Sequence, residues 1–458
     1  MVLKKSPPSV PPQGGKQPYI SLPVSPTGRL EEGLRGLTLI VALILSCSNV
    51  FAQYKNIQLP KPAKSTYRYA QVEPSIAINP YNTKEVVAGT VMNEYYYSKN
   101  GGKSWKSMNM SSEYGVNGDP CLVFDNKGDI YYFHLASVPG GQHLDRIVCQ
   151  KSTELKGKFE QETFPAPNGK VQDKEWVVVD YKTNAIYMTW TQFDKYDSKD
   201  TADHSNIVFS KSEDGAKTWS DPIEINSVYG DCQDDDNTVE GATPAVGPNG
   251  EVYVAWTGPN GIVFNRSLDK GVTWLKEEIK IADHPEGWTI KVPGIYRCNG
   301  LPILKCDISD GPNRGKLYLN WADQSNGTDD TDIWLATSDD GGITWTDPIR
   351  VNQDKTKTHQ FFTWMDIDQC NGDVYFVYYD RSNYKPSSIK TDVVVSKSSD
   401  GGKTYTTKVV SDAPFEPNPK LFFGDYNNIS VIDGMVRPIW TRMHESKISV
   451  WTALIDGF

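Results

Sequence analysis

The chain has 458 residues, a formal charge of −10, 11 % aromatic residues, 37 Gly and 29 Pro. Its acidic balance excludes a nucleic-acid partner, because no basic stripe is available to displace phosphate counterions. The length admits two or three average domains or one large all-β domain, and the Gly, Pro and aromatic content favours strands and turns over helices.

Residues 1–36 are rich in Pro, Gly, Ser and Lys without periodicity and read as a disordered extension. Leu37 to Leu45 is an apolar run too short to span a bilayer, and Val50-Phe51-Ala52 has the small-residue spacing of a signal-peptidase site. Residues 37–52 are therefore expected to be a signal peptide, with secretion or periplasmic export after cleavage near Ala52 and a single domain over 53–458. Cys47 leaves with that peptide. The other six, Cys121, Cys149, Cys232, Cys298, Cys306 and Cys370, form an even set that allows disulfides. Cys298–Cys306 would close a short loop, and Cys121–Cys149 would join neighbouring strands. No His or Cys cluster points to a metal or another cofactor. The acidic run Asp231–Asn237 lacks the Gly-spaced loop of a Ca²⁺ site and reads as solvated.

From Ser75 onward one pattern repeats. Two short strands rich in β-branched and aromatic residues are joined by a Gly- or Asn-containing turn, and a third strand leads into an eight-residue turn. In the first unit these are Ser75–Ile78, Val86–Gly89 and Tyr95–Tyr97, followed by Ser98-Lys99-Asn100-Gly101-Gly102-Lys103-Ser104-Trp105. The fullest copy of the turn is Ser338-Asp339-Asp340-Gly341-Gly342-Ile343-Thr344-Trp345. Its Asp is suited to accept backbone N–H groups, its Gly to take positive φ and its Trp to fold back over the turn. Further copies begin at Ser212, with Ala216 in place of the second Gly, at Ser267 and at Ser398; Ser152 starts one that keeps only the Ser, an acid and the aromatic. The steps of 54, 60, 55, 71 and 60 residues from Ser98 make this a repeat array. A seventh unit, Asn428–Ile432, Val436–Trp440 and Ile448–Thr452, ends the chain one strand short, so ring closure should draw that strand from within Tyr54–Gln71. The expected fold is an all-β, seven-bladed β-propeller, with six blades as the alternative if the degenerate second unit is an insertion.

The turn resembles the Asp box, or BNR repeat, of sialidases and related β-propellers. In that family it caps the hairpin between the two outer strands of a blade, on the rim. Function must therefore be sought elsewhere. In a blade the innermost strand begins on the face where the second strand ends, so residues at both places ring one mouth of the central channel. Glu73, Asp119, Asp173 with Glu175, Glu240, Arg297, His359 and Asp425-Tyr426 precede the innermost strands. The second strands run out at residues that include His134, Arg381 and Arg442. Charges converging on a channel are costly unless paired or used.

Asp425-Tyr426-Asn427-Asn428-Ile429-Ser430-Val431-Ile432-Asp433-Gly434 resembles the sialidase segment that carries the tyrosine nucleophile, and Glu240 matches the family's mid-chain Glu. The resemblance implies Tyr426 as nucleophile, Glu240 as its activator and Asp119 as an acid/base. Arg297, Arg381, Arg442, Glu73, Asp173 and Asp425 would then contact substrate. An adjacent carboxylate is needed because a phenol near pKa 10 is a weak nucleophile until its proton is taken. The chain departs from the family at Val72-Glu73-Pro74, where a sialidase has Arg-Ile-Pro. Three readings follow: an exported sialidase-like glycoside hydrolase, a hydrolase of neutral glycans using two of these carboxylates, or a non-catalytic propeller binding a glycan or protein. A glycan partner, no membrane span and a monomer are expected.

Overall fold

The computed structural model describes residues 54–62 and 71–458; the expected extension and signal peptide, with Cys47, lie outside the described residues. The described strands form seven four-stranded antiparallel sheets, and no described helix is long and apolar enough to cross a membrane. The inner strands of blades one to seven are Ser75–Ile78, Gly118–Phe124, Val171–Asp180, Glu240–Val246, Ile303–Cys306, Gln360–Asp368 and Asn428–Ile432. The fold is the expected seven-bladed β-propeller. Six blades use four consecutive strands; the seventh borrows its outermost strand, Lys55–Gln58, from the N-terminal side. That strand pairs with Lys447–Asp456, Lys55 facing Leu454 and Gln58 facing Trp451. The borrowed strand joins the two ends of the ring, so neither is left as an open edge.

Second strands such as Val86–Thr90 and Val252–Gly258 are buried at every position. Each blade packs both faces on neighbours, which is why these segments read as apolar runs instead of alternating patterns.

On the rim, the Ser338 hydroxyl accepts the Gly342 amide at 2.9 Å and donates to Asp340 at 2.8 Å. Asp340 also accepts the Ile343 and Thr344 amides and, at 2.6 Å, the Thr344 hydroxyl. The same arrangement recurs at Asp214, Asp269 and Asp400. In the degenerate copy, Ser152 donates instead to the Glu154 carbonyl. In three turns the aromatic reaches the preceding blade: Trp345 meets Phe264 at 5.2 Å between ring centres, Trp274 meets Phe209 at 5.0 Å and Trp219 meets Phe133 at 5.9 Å, whereas Tyr405 meets Phe376 of its own blade at 5.9 Å. These three turns therefore staple blade to blade. Gly342, at φ +85°, lies against Phe264, and a Cβ there would sit 2.3 Å from the ring.

The cysteine expectation is overturned. All six described cysteines are unpaired. Cys121 and Cys149 lie on the first and third strands of blade two, with Phe133 of the second strand between them. Cys298 precedes the inner strand of blade five while Cys306 ends it. The thiols thus lend export no support, and that reading rests on the leader alone.

Candidate functional site at the channel mouth

Four inner strands carry a β-bulge near their start, with register shifts at Gly118/Cys121, Asp173/Trp176, Glu240/Thr243 and Phe361/Trp364. Positive φ recurs at this level: Glu73 (53°), Asp119 (45°), Lys174 (51°), Gly241 (71°) and Phe362 (49°). A bulge re-aims the side chain beside it, and a non-glycine residue held there costs roughly 1–3 kcal/mol. Three of these strained positions are charged, and their side chains converge on one cluster.

Lys174 sits at its centre. Its ammonium lies 2.7 Å from Asp425 and 3.7 Å from Asp119. Arg297 grips the same Asp425 carboxylate with two donors, Nε at 2.9 Å and Nη2, and reaches Asp234 at 3.4 Å. Glu73 accepts the Asp425 amide at 3.2 Å. Above the cluster, the Arg297 guanidinium lies between Trp288 at 5.4 Å and Phe422 at 5.3 Å. Trp288 is fixed by its amide to Asp236 at 2.8 Å and by its indole N–H to the Asp234 carbonyl.

Seven carboxylates, Glu73, Asp119, Asp173, Glu175, Asp234, Glu240 and Asp425, therefore meet two cations. The ordinary carboxylate range cannot hold throughout. Burial alone would raise the Asp425 carboxyl, but Lys174 and Arg297 override it and hold it well below its usual value. Burial, with Asp119 and Asp234, pushes Asp173 up to about 8 against the pull of Lys174. Burial and the Asp119 carboxylate raise Glu73 and Glu175. Burial and Asp234 raise Glu240. The carboxyl oxygens of Glu175 and Glu240 have no hydrogen-bond partner.

The sequence-derived pairing of Tyr426 with Glu240 is not what the structure contains. The Tyr426 hydroxyl donates to Asp119 at 3.3 Å. Blades four and seven stand nearly opposite in a seven-membered ring, so Glu240 faces Asp234 and Asp173 instead. Burial and the Asp119 carboxylate raise the Tyr426 phenol well above its usual value. The ring is also enclosed: Trp176 lies 5.0 Å and Trp364 6.2 Å from it, 4.4 Å from one another. The adjoining void, about 10 Å³, has the room of one water molecule. These three rings plug the channel below the acidic cluster. Beyond them a cavity of about 350 Å³ is lined by all seven inner strands.

Of the expected arginines, Arg297 alone joins the acidic cluster. Arg381 is buried at the end of its strand, donating to Thr391 at 3.1 Å and to the Pro293 carbonyl at 2.7 Å. Arg442 lies over Trp451 at 4.9 Å and pairs with Asp412 at 2.6 Å, because its strand continues outward past the mouth. His359 bonds Thr331 at 2.9 Å and His134 is buried against the Leu135 carbonyl. Lys174 went unremarked in the sequence although it stands between two expected residues, and its signal is the charged triplet Asp173-Lys174-Glu175 at a strand start. Asp234 was hidden in the acidic run, and nothing local to Trp288 marks it. Among the described residues no group of three or more His, Cys, Asp or Glu side chains is set to hold a metal ion.

No protein-family model matches this sequence, and no curated protein matches it. Among solved structures, a PL25 ulvan lyase, a polysaccharide lyase, superposes with a TM-score of 0.52 at 11 % identity, covering 88 % of this chain and 96 % of its own. An α-L-arabinanase from Penicillium chrysogenum, complexed with arabinobiose, gives a TM-score of 0.47 at 12 % identity over 88 % of this chain and 98 % of its own. A Hadza microbial sialidase gives 0.42 at 16 % identity over 81 % and 73 %. The chain thus shares the fold of the ulvan lyase.

Proposed function

We propose that this protein is an exported carbohydrate-active enzyme that cleaves uncharged glycans at the acidic mouth, by general acid–base catalysis between carboxyl groups. The observation that carries this reading is the charge imbalance of the mouth. Among the described residues, the two cations of the cluster, Lys174 and Arg297, are both committed to carboxylates already present, so neither is left to receive the acid group of a sialic or uronic acid. Several buried carboxyls must then keep their protons at neutral pH, and a protonated carboxyl is what a glycosidic oxygen needs as it leaves. Asp173, the partly exposed member with a value of about 8, is assigned as proton donor. Asp119, beside the Lys174 ammonium, is assigned as the base that draws a proton from water. Tyr426 donates to Asp119 and so positions it; its raised phenol and enclosed ring argue against the nucleophile role. The ulvan lyase fold relative shows that a propeller of this general shape can act on a polysaccharide.

Hydrolysis of a panel of neutral aryl glycosides, with an aryl sialoside included, tests the reading. Turnover of a neutral glycoside is expected, with kcat/KM falling as pH rises through about 8 and lost by more than 10²-fold in Asp173→Asn. Turnover of the sialoside alone would overturn it. Binding without turnover of any member would leave a non-catalytic glycan-binding propeller.

A further inference from the structure

The surface around the mouth carries more than the acidic cluster explains. Among the described residues three exposed tyrosines stand on this face: Tyr196 is 42 % exposed, Tyr229 50 % and Tyr296 62 %. Their positions are not scattered. Tyr196 donates to Asp234 at 2.8 Å, and Asp234 meets Arg297 at 3.4 Å. Arg297 in turn lies over Phe422, whose ring is 6.5 Å from Tyr296. The contacts make one continuous row at the mouth, aromatic at each end with Asp234 and Arg297 in the middle. On the blade-three side, a bridge between Ser198 and Cys232 ties the Tyr196 loop to the segment bearing Tyr229, and Tyr229 stacks on His204 at 5.0 Å with the rings 18° apart. The exposed apolar side chains on the rim, Leu268, Val272 and Ile343, are single aliphatic residues of the turns.

We infer that this row is a set of sugar platforms on both sides of the acidic centre, so that the substrate is the interior of an uncharged oligosaccharide chain and not its last residue. The inference rests on the proposed function. Flat aromatic faces suit the C–H faces of pyranose rings, and their hydroxyl tips accept water when the site is empty. An uncharged or amine-bearing occupant suits the row, because its one described cation, Arg297, is already paired with Asp234 and Asp425. The acids between the platforms put the cleavage point within the bound chain. A site for terminal sugars would close one side of the row; here the described tyrosines at both its ends, Tyr196 and Tyr296, are exposed.

The test uses the full chain and neutral oligosaccharides of one to six units labelled at the reducing end, drawn from the family that the glycoside panel shows to be cleaved. Internal cleavage is expected, with products of two or more units appearing first. Tyr296→Ala and Tyr229→Ala, both exposed and outside the acidic cluster, should each raise KM for the six-unit substrate about three- to tenfold and leave the aryl monosaccharide unchanged. Release of single terminal units only, or equal effects on long and short substrates, would overturn the inference while leaving the proposed function standing. If nothing is hydrolysed the proposed function falls, and calorimetric binding of the six-unit chains then decides the platforms separately. Binding weakened by Tyr296→Ala keeps them; no binding removes them.

Discussion

The rim and the mouth use the same side chain to opposite ends. At the rim, Asp214, Asp269, Asp340 and Asp400 are each met by a Thr hydroxyl, a Ser hydroxyl and backbone amides; desolvation raises all four, most at Asp214 and Asp400 where it is the largest single cause, and the donors together outweigh it and hold all four at about 2. At the mouth, Glu73, Glu175 and Glu240 are stripped of water, given too few donors and raised. An acid whose lone pairs are filled by its own turn is structural. An acid left short of donors inside a channel works against the fold and needs another reason to be there.

The largest effect that would sharpen this contrast is at Lys174. Lys174→Met leaves Asp425 and Asp119 short of their counter-charge in a buried site, and should cost about 3–5 kcal/mol in denaturant unfolding. A loss under about 1 kcal/mol would mean that the mouth carboxyls simply take up protons and that the ammonium is dispensable.

At the rim, Gly342→Ala combines a disfavoured φ of +85° with a Cβ only 2.3 Å from Phe264, and should cost about 2–4 kcal/mol. Blade three already carries the converse: Ala216 occupies the matching place at φ 60°. Ala216→Gly should therefore stabilise, by about 1 kcal/mol. Ser338→Ala removes the hub of one turn's hydrogen bonds and should cost about 1–2 kcal/mol, with any glycan turnover per folded molecule unchanged.

The smallest effect is the most diagnostic, because its sign reverses between the two regions. Glu240 is raised in the folded state, so the wild type loses stability as pH rises above the unfolded value of roughly 4. Glu240→Gln escapes that loss: thermal unfolding should shift upward at pH 7 and coincide with wild type near pH 4. The rim acids are depressed to about 2, so their contribution is complete above roughly pH 4 and disappears as pH falls towards 2. Asp340→Asn should thus lower the midpoint at pH 7 and converge with wild type at pH 2. Equal pH responses in the two variants would break the comparison.

The sequence by itself determined the repeat, and with it the fold. Six turns at near-regular steps each sit between strands, and their hydrogen bonds close within eight residues, so local chemistry is enough to write and to read them. Closure by a strand before residue 72 also followed, since a unit one strand short at the C-terminus must find its partner at the other end. The same reasoning located most of the acids at the mouth, because a strand start fixes a face. What it missed depended on distances across the ring. Asp119 holds Tyr426 because blade two, and not blade four, turns its acid towards blade seven. Trp288 covers the cluster from a loop whose own sequence carries no mark of that place. Lys174 and Arg297 spend their charge on Asp425, from blades three and five onto seven. Partners so far apart in the chain are chosen by the number of blades and the bulge at each strand start, and only the closed ring decides both.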